Sequence, residues 1–284
     1  MLAALQSPGP VRLEKVVAAD WAVPRSGLVN LDHPKARAAG LEDGDEPIQL
    51  YLYALHHPTR GTFVVDSGIE GGFRDPERNA RVGFLVRKAM NTDRLVVHET
   101  TGEWLAGNES RLDGVFLTHL HLDHIMGLPE VPSSVPVYMG PGETEASGFL
   151  NLFSRGTTDA LLQGAGPLRE WQFAPDPDGR FEGLLDVFGD GSVWAIHAPG
   201  HTPGSTAFAI ATTEGPALLL GDTCHTRWGW ENGVEPGTFS LDRPRSAESL
   251  ARLRALAARI PDVRVHPGHQ SLDPSTGTPL ADGR

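Results

Sequence analysis

A chain of 284 residues with 39% hydrophobic content can bury a substantial core, and its length allows one large domain or two small ones. The 24 basic residues, only three of them Lys, face 36 acidic ones, and a net charge of −12 with no basic run argues against a nucleic-acid partner. A single cysteine, Cys224, excludes an intramolecular disulfide and a Cys-rich zinc site, so any metal must be held by His and carboxylates.

No apolar run reaches the length of a membrane span, which argues against a membrane partner. Met1–Pro8 lacks the basic start and long apolar stretch of a signal peptide, and the chain reads as soluble and cytoplasmic. Residues 1–47, rich in Pro, Gly and charge, read as an irregular arm packed on a core. Gln49–Leu55 and Gly61–Asp66 are β-rich runs joined by a hairpin turn at His57-Pro58-Thr59-Arg60-Gly61. Short helices are expected around Val82–Met90 and Thr101–Asn108, followed by short strands at Asp113–Thr118 and Pro136–Met139. Helix plus loop is expected over 141–180. Strands follow at Ser192–His197, Ser205–Thr212 and Pro216–Gly221. Ser246–Ile260 is an amphipathic helix: Leu250, Leu253, Leu256, Ala257 and Ile260 share a face, Arg252, Arg254 and Arg259 lie elsewhere, and Pro261 stops it. Val263–His266 is the last strand. Hairpin-like groups of strands with helices between and after them suggest sheets covered by helices. With no internal repeat and no Ser/Gly linker, 1–284 reads as one domain with a core at about 48–270.

The run Thr118-His119-Leu120-His121-Leu122-Asp123-His124 places three His and an Asp within six positions. Residues two apart on extended backbone point the same way, so His119 and His121 can reach one metal. Asp123 and His124 lie past the strand, where the chain turns toward Gly127-Leu128-Pro129, and can face a second metal. Three further candidates sit on loops just beyond apolar strands. They are His201 in Pro199-Gly200-His201-Thr202-Pro203-Gly204, Asp222 after Ala217-Leu218-Leu219-Leu220-Gly221, and His269 in Pro267-Gly268-His269-Gln270. Asp222 is well placed to bridge two metals. Imidazole and carboxylate ligands suit zinc, with iron, manganese or cobalt as alternatives. Cys224 reads as a small core or pocket-wall residue.

In order and context these elements resemble those of the metallo-β-lactamase superfamily over roughly residues 48–270. Val65-Asp66-Ser67-Gly68 resembles its early strand-end Asp-x-Gly element. The resemblance implies an α/β fold, an αββα sandwich with metals at one edge of the two sheets. It implies two divalent metal ions, the first held by His119, His121 and His201, the second by Asp123, His124 and His269, with Asp222 bridging. Asp66 is then expected behind a ligand, orienting it.

Among branches, the pattern is most similar to N-acyl homoserine lactone lactonases and neighbouring esterases. A class with a Cys ligand is disfavoured because Asp222 occupies that place. Glyoxalase II-like thioesterases carry a helical domain after the last His, whereas fifteen residues follow His269. The RNA-processing branch conflicts with the acidic charge, and flavodoxin-fused oxidoreductases need a second domain. The implied reaction is opening of a lactone, or cleavage of a related ester, by hydroxide generated at the metal pair, with Asp123 handing a proton to the departing alkoxide. Typical lactonases of this group have a Tyr three residues after the bridging Asp. Here that position is His225, a candidate hydrogen-bond donor to substrate. Trp228 and Trp230 are candidates either for an acyl pocket or for pinning a loop to the core. Phe149, Leu150 and Phe153 read as helix core, and His197 and His266 as structural hydrogen-bonding groups. His33, His56, His57 and His98 carry no motif. The expected partner is a small-molecule substrate, and a homodimer is allowed. Three alternatives stand beside this reading: a mononuclear iron persulfide dioxygenase, a phosphodiesterase or thioesterase of the same superfamily, and a metal-stabilised scaffold.

Overall fold

Alternation along the strands decides the layering. The computed structural model describes residues 1–75, 81–108, 111–145 and 149–273. The chain runs β1 (Arg12–Pro24), α1 (Arg25–Leu28), α2 (Pro34–Ala38), β2 (Asp45–His57), β3 (Gly61–Val65), α3 (Phe84–Ala89) and β4 (Val96–Val97). It continues through α4 (Thr101–Gly107), β5 (Leu112–Phe116), α5 (Leu122–Ile125), β6 (Val137–Met139), α6 (Phe149–Leu162), β7 (Leu168–Glu170) and β8 (Leu184–Asp186). The last elements are β9 (Val193–His197), β10 (Thr206–Thr212), β11 (Gly215–Leu219), α7 (Arg227–Asn232), α8 (Arg243–Ala257) and β12 (Arg264–His266). They form two sheets, in the order β4-β1-β2-β3-β5-β6-β7 and β12-β11-β10-β9-β8. The first sheet is antiparallel from β4 to β3 and parallel from β3 to β7. The second is antiparallel except for the parallel β11–β12 pair.

Strand β2 is buried on both faces through its centre. Leu50, Leu52 and Ala54 join a core that includes Trp104 of α4, Leu122 and Ile125 of α5 and Leu161 of α6. Tyr51, Tyr53 and Leu55, one position out of phase, join Phe116, Phe208, Ile210 and Leu219 between the sheets. On β10 the same alternation sends Ala207, Ala209 and Ala211 to the outer side, where Leu250, Leu253 and Leu256 of α8 and Ile260 cover them. Helix, sheet, sheet and helix therefore stack as the expected αββα sandwich. No helix among the described residues is long and apolar enough to cross a membrane.

Two expectations are corrected. Residues 1–47 are not an irregular arm: β1 pairs with β2 from Arg12↔His56 to Pro24↔Asp45, with one bulge between Val17 and Ala19. Its buried Val16, Ala18, Trp21 and Val23 follow Glu14 and Lys15 and are interrupted by Asp20, and the bulge breaks their period of two, which hides the strand from a local reading. Strand β7 lies inside the stretch read as helix plus loop, and β8 was not anticipated. Each has three residues, and β7 is exposed throughout, so neither carries a periodic signal. The side chains of Phe149, Leu150 and Phe153 lie outside the described residues.

The topology also positions the site. The loops after β5, β9, β11 and β12 all leave the C-terminal ends of their strands. A hydrogen bond from Thr206 N to Thr118 O, 2.8 Å long, ties the two sheets together at that edge.

Candidate metal centre

The seven residues singled out from sequence are brought together as two overlapping groups, His119, His121, His201 and Asp222, and Asp123, His124, Asp222 and His269. Within each group the potential ligand atoms lie within 4.8 Å of one another. In the first, His201 Nε2 lies 3.2 Å from His119 Nε2 and 2.8 Å from His121 Nδ1. Asp222 Oδ2 stands 3.6 Å from His119 Nε2 and 3.4 Å from His201 Nε2. In the second, His124 Nε2 is 3.3 Å from Asp222 Oδ2 and 3.8 Å from Asp123 Oδ2. His269 Nε2 is 3.3 Å from Asp123 Oδ2 and 3.2 Å from Asp222 Oδ1. Ligands of a tetrahedral zinc stand about 3.3 Å apart when each is about 2.0 Å from the ion. The spacing is that of donors around common centres, and Asp222 belongs to both.

The rings are held from behind. His124 Nδ1 donates to Asp66 Oδ2 at 2.8 Å, and His269 Nδ1 to the carbonyl of Gln49 at 3.0 Å. His119 Nδ1 contacts Thr118 Oγ1 at 3.1 Å, and His201 Nδ1 contacts Ser240 Oγ at 3.1 Å. Each of these contacts turns an Nε2 toward the centre. Asp66 also accepts from the Thr118 backbone N at 2.8 Å, so it braces the whole run. It does so from a left-handed backbone, φ 57°, a conformation Asp tolerates better than most residues. Gly268, preceding His269, has its own reason: a Cβ there would lie 2.3 Å from Asp222 Oδ1.

The donor set fits divalent cations. His201 Nε2 faces two other ring nitrogens, and three neutral lone pairs cannot satisfy one another. Asp222 Oδ1 and His124 Nε2 are buried with no hydrogen-bond partner among the described residues. Burial is the chief cause that holds His119, His121 and His201 below the ordinary imidazole range, so these rings are neutral at pH 7. In the second group burial opposes charge on the rings but loses to the surrounding carboxylates. Asp222, Asp66 and Asp123 raise His124 well above its usual value, and Asp222 and Asp123 raise His269 to about 10. Against the same burial, His124 and His269 keep Asp123 ionised, and His225, His269 and His124 keep Asp222 ionised.

The remaining candidates divide. His225 stands beside the seven: its Nδ1 is 3.2 Å from the Leu28 carbonyl and its Nε2 is 3.1 Å from Asp222 Oδ2. Its ring stacks on His269 with centroids 5.6 Å apart. A cleft of about 270 Å³ opens onto His121, Asp123, His201, Asp222, His225 and His269. Its walls are apolar, from Trp21 and Val23 of β1, Leu28 of α1, Ile48 of β2, Val86 of α3, Met90 and Phe239. Trp228 and Trp230 do not line it. Trp228 packs on the first core, and Trp230 packs near α8 with the Arg254 guanidinium 5.9 Å from its ring centroid. Of the two readings of this pair, packing on the core is the one the structure shows. Trp21, Val23 and Leu28 of the wall come from the segment read as an irregular arm. Cys224 is a buried core residue whose thiol burial pushes up to about 12. His197 bonds the Pro203 carbonyl at 2.9 Å, as expected, whereas His266 Nε2 has no partner among the described residues. Glu143 was missed altogether. It is a lone acid in Gly140-Pro141-Gly142-Glu143, with no local signal of its burial beside the ligand loops.

The sequence profile described as Metallo-beta-lactamase superfamily matches residues 43–269. The chain belongs to the metallo-beta-lactamase superfamily. Within it, the chain is similar to the N-acyl homoserine lactonase AttM of Agrobacterium fabrum, 29% identical over 164 residues, covering 55% of this chain and 57% of that protein. The match thus spans little more than half of that relative's length. The AttM of Rhizobium johnstonii is 28% identical over 243 residues, 82% of this chain and 86% of its own. Among solved structures, a quorum-quenching N-acyl homoserine lactone lactonase superposes with a TM-score of 0.67 at 19% identity, covering 92% of this chain and 93% of the other. At that identity the likeness speaks for the superfamily's fold.

Proposed function

We propose that this superfamily member is a dinuclear-metal hydrolase that opens lactones of the N-acyl homoserine lactone type or cleaves related carboxylic esters. One observation carries the reading: an apolar cleft of about 270 Å³ ends on two donor groups that share Asp222. The lactonase names of its relatives support the substrate class.

His119, His121 and His201 are the residues to hold the first cation, Asp123, His124 and His269 the second, and Asp222 both. Zinc suits this set best. Divalent cations supply Lewis acidity toward a carbonyl oxygen and make water acidic enough to serve as a nucleophile at neutral pH. The chain's own residues supply the rest. Trp21, Ile48, Val86 and Phe239 exclude water and receive an acyl chain. His225 presents Nε2 beside the cleft floor while Nδ1 donates to Leu28 O. With Nδ1 so committed, Nε2, 3.1 Å from Asp222 Oδ2, is the ring atom left for a polar contact at the cleft floor. Asp123, ionised and with 18% of its side chain exposed, can take up the proton that the attacking water gives up and pass it to a departing alkoxide. No Lys or Arg lines the cleft among the described residues, which favours an uncharged ester over a phosphodiester.

The test is hydrolysis of homoserine lactones of graded chain length, with metal content measured on the same preparation. Turnover rising with chain length and about two zinc equivalents per chain support the reading. Activity confined to phosphodiesters, or one iron per chain with oxygenase activity, overturns it.

A further inference from the structure

Glu143 is buried just beyond β6. Its carboxylate is divided between the two loops that carry the first donor group. Oε2 accepts from the backbone N of Leu120, the residue between His119 and His121, at 2.8 Å. Oε1 accepts from Gly204 N at 2.8 Å and from Thr202 Oγ1 at 2.5 Å, both in the loop of His201. The loops are closely seated around it, since a Cβ on Gly140 would lie 1.7 Å from Gly204 O. No Lys or Arg forms an ion pair with Glu143 among the described residues, so the acid is buried against neutral donors alone. That is a costly way to join two loops unless both oxygens are needed. All of its hydrogen-bonding neighbours are donors. A carboxamide would turn an NH2 against one of them. Among the described residues the second donor group has no such shared carboxylate behind it; Asp66 and the Gln49 carbonyl brace it.

We propose that Glu143 is a positioning residue of the first donor group: by accepting from the His119–His121 loop and the His201 loop at once, it sets the separation of the three imidazoles and so their affinity for a cation. The inference rests on reading these residues as metal ligands.

The experiment titrates the demetallated full chain with zinc, with folding followed by circular dichroism and thermal melting. Imidazole 1H–15N spectra of the zinc form identify which rings are ligated. In Glu143→Gln the first group is expected to bind about 10- to 100-fold more weakly, as for other outer braces. His119, His121 and His201 lose their ligated signals first, while His124 and His269 keep theirs. Thr202→Val, which removes only the hydroxyl contact, is expected to weaken the same group by a smaller factor. It decides the matter if Glu143→Gln does not fold. Equal weakening of both groups, or none in a folded variant, overturns the proposal. If the unsubstituted protein takes up no zinc, the metal reading itself falls, and this inference with it.

Discussion

The two donor groups share Asp222 yet rest on opposite electrostatic plans. The first is three imidazoles that burial keeps neutral, steadied by the hydroxyls of Thr118 and Ser240. The second pairs two imidazoles with Asp123, and the Asp66 side chain stands behind one of them. Its rings hold protons against burial because carboxylates surround them. A cation entering the first group displaces no proton at pH 7, whereas one entering the second must replace two. Ligand type alone therefore does not set the behaviour of such a site; the carboxylates gathered around each ring do.

The severest test removes what the groups share. Asp222→Asn is expected to release both cations and to lower lactone hydrolysis by on the order of a thousandfold, beyond the effect of an outer brace. Metal analysis and rates at matched zinc check it. A variant that keeps both ions and its rate leaves no case for a shared carboxylate.

The pH dependence comes next. His124 is raised well above its usual value and His269 to about 10, so in the cation-free protein both are protonated throughout the neutral range. Zinc affinity of the second group then rises with pH, by up to about a hundredfold per unit for two displaced protons, while the first stays flat near pH 7. Calorimetry in two buffers of different ionisation enthalpy counts the protons released. Equal release from both groups breaks the contrast.

Asp66→Asn keeps an acceptor beside His124 but removes the charge. It is expected to weaken the second group about 10- to 100-fold and the first, whose His119 it reaches only through Thr118, by a smaller factor, measured by the same titration. The smallest effect is expected away from the donors. Trp21 is 6% exposed and forms cleft wall. Trp21→Ala is expected to raise KM about tenfold for long-chain lactones and little for short ones, with zinc content unchanged. A loss of zinc there means the wall and the centre are not independent.

Much of this molecule was legible before folding was considered. The hairpin of β2 and β3 shows in two β-rich runs around one turn, and α8 in a leucine face closed by Pro261. The candidate ligands show in spacing: His119 and His121 two apart, Asp123 and His124 adjacent, and His201, Asp222 and His269 each just past an apolar run. Strand β1 was not legible because its evidence is a partner more than twenty residues away, paired with it from Arg12↔His56. The choice between the two readings of the tryptophans needed the fold for the same reason. Trp228 and Trp230 are near Asp222 in sequence, yet Trp21 forms the wall.

Local pattern, then, determined which residue types stand at strand ends and which faces of strands and helices are apolar, since both follow from backbone periodicity within a few residues. Tertiary structure alone decided which carboxylate charges which imidazole, that Glu143 joins two ligand loops, and that His225 is held by the Leu28 carbonyl 197 positions away. Those properties depend on burial and on distances of a few ångströms between segments remote in the chain, and neither quantity is encoded in any short stretch of sequence.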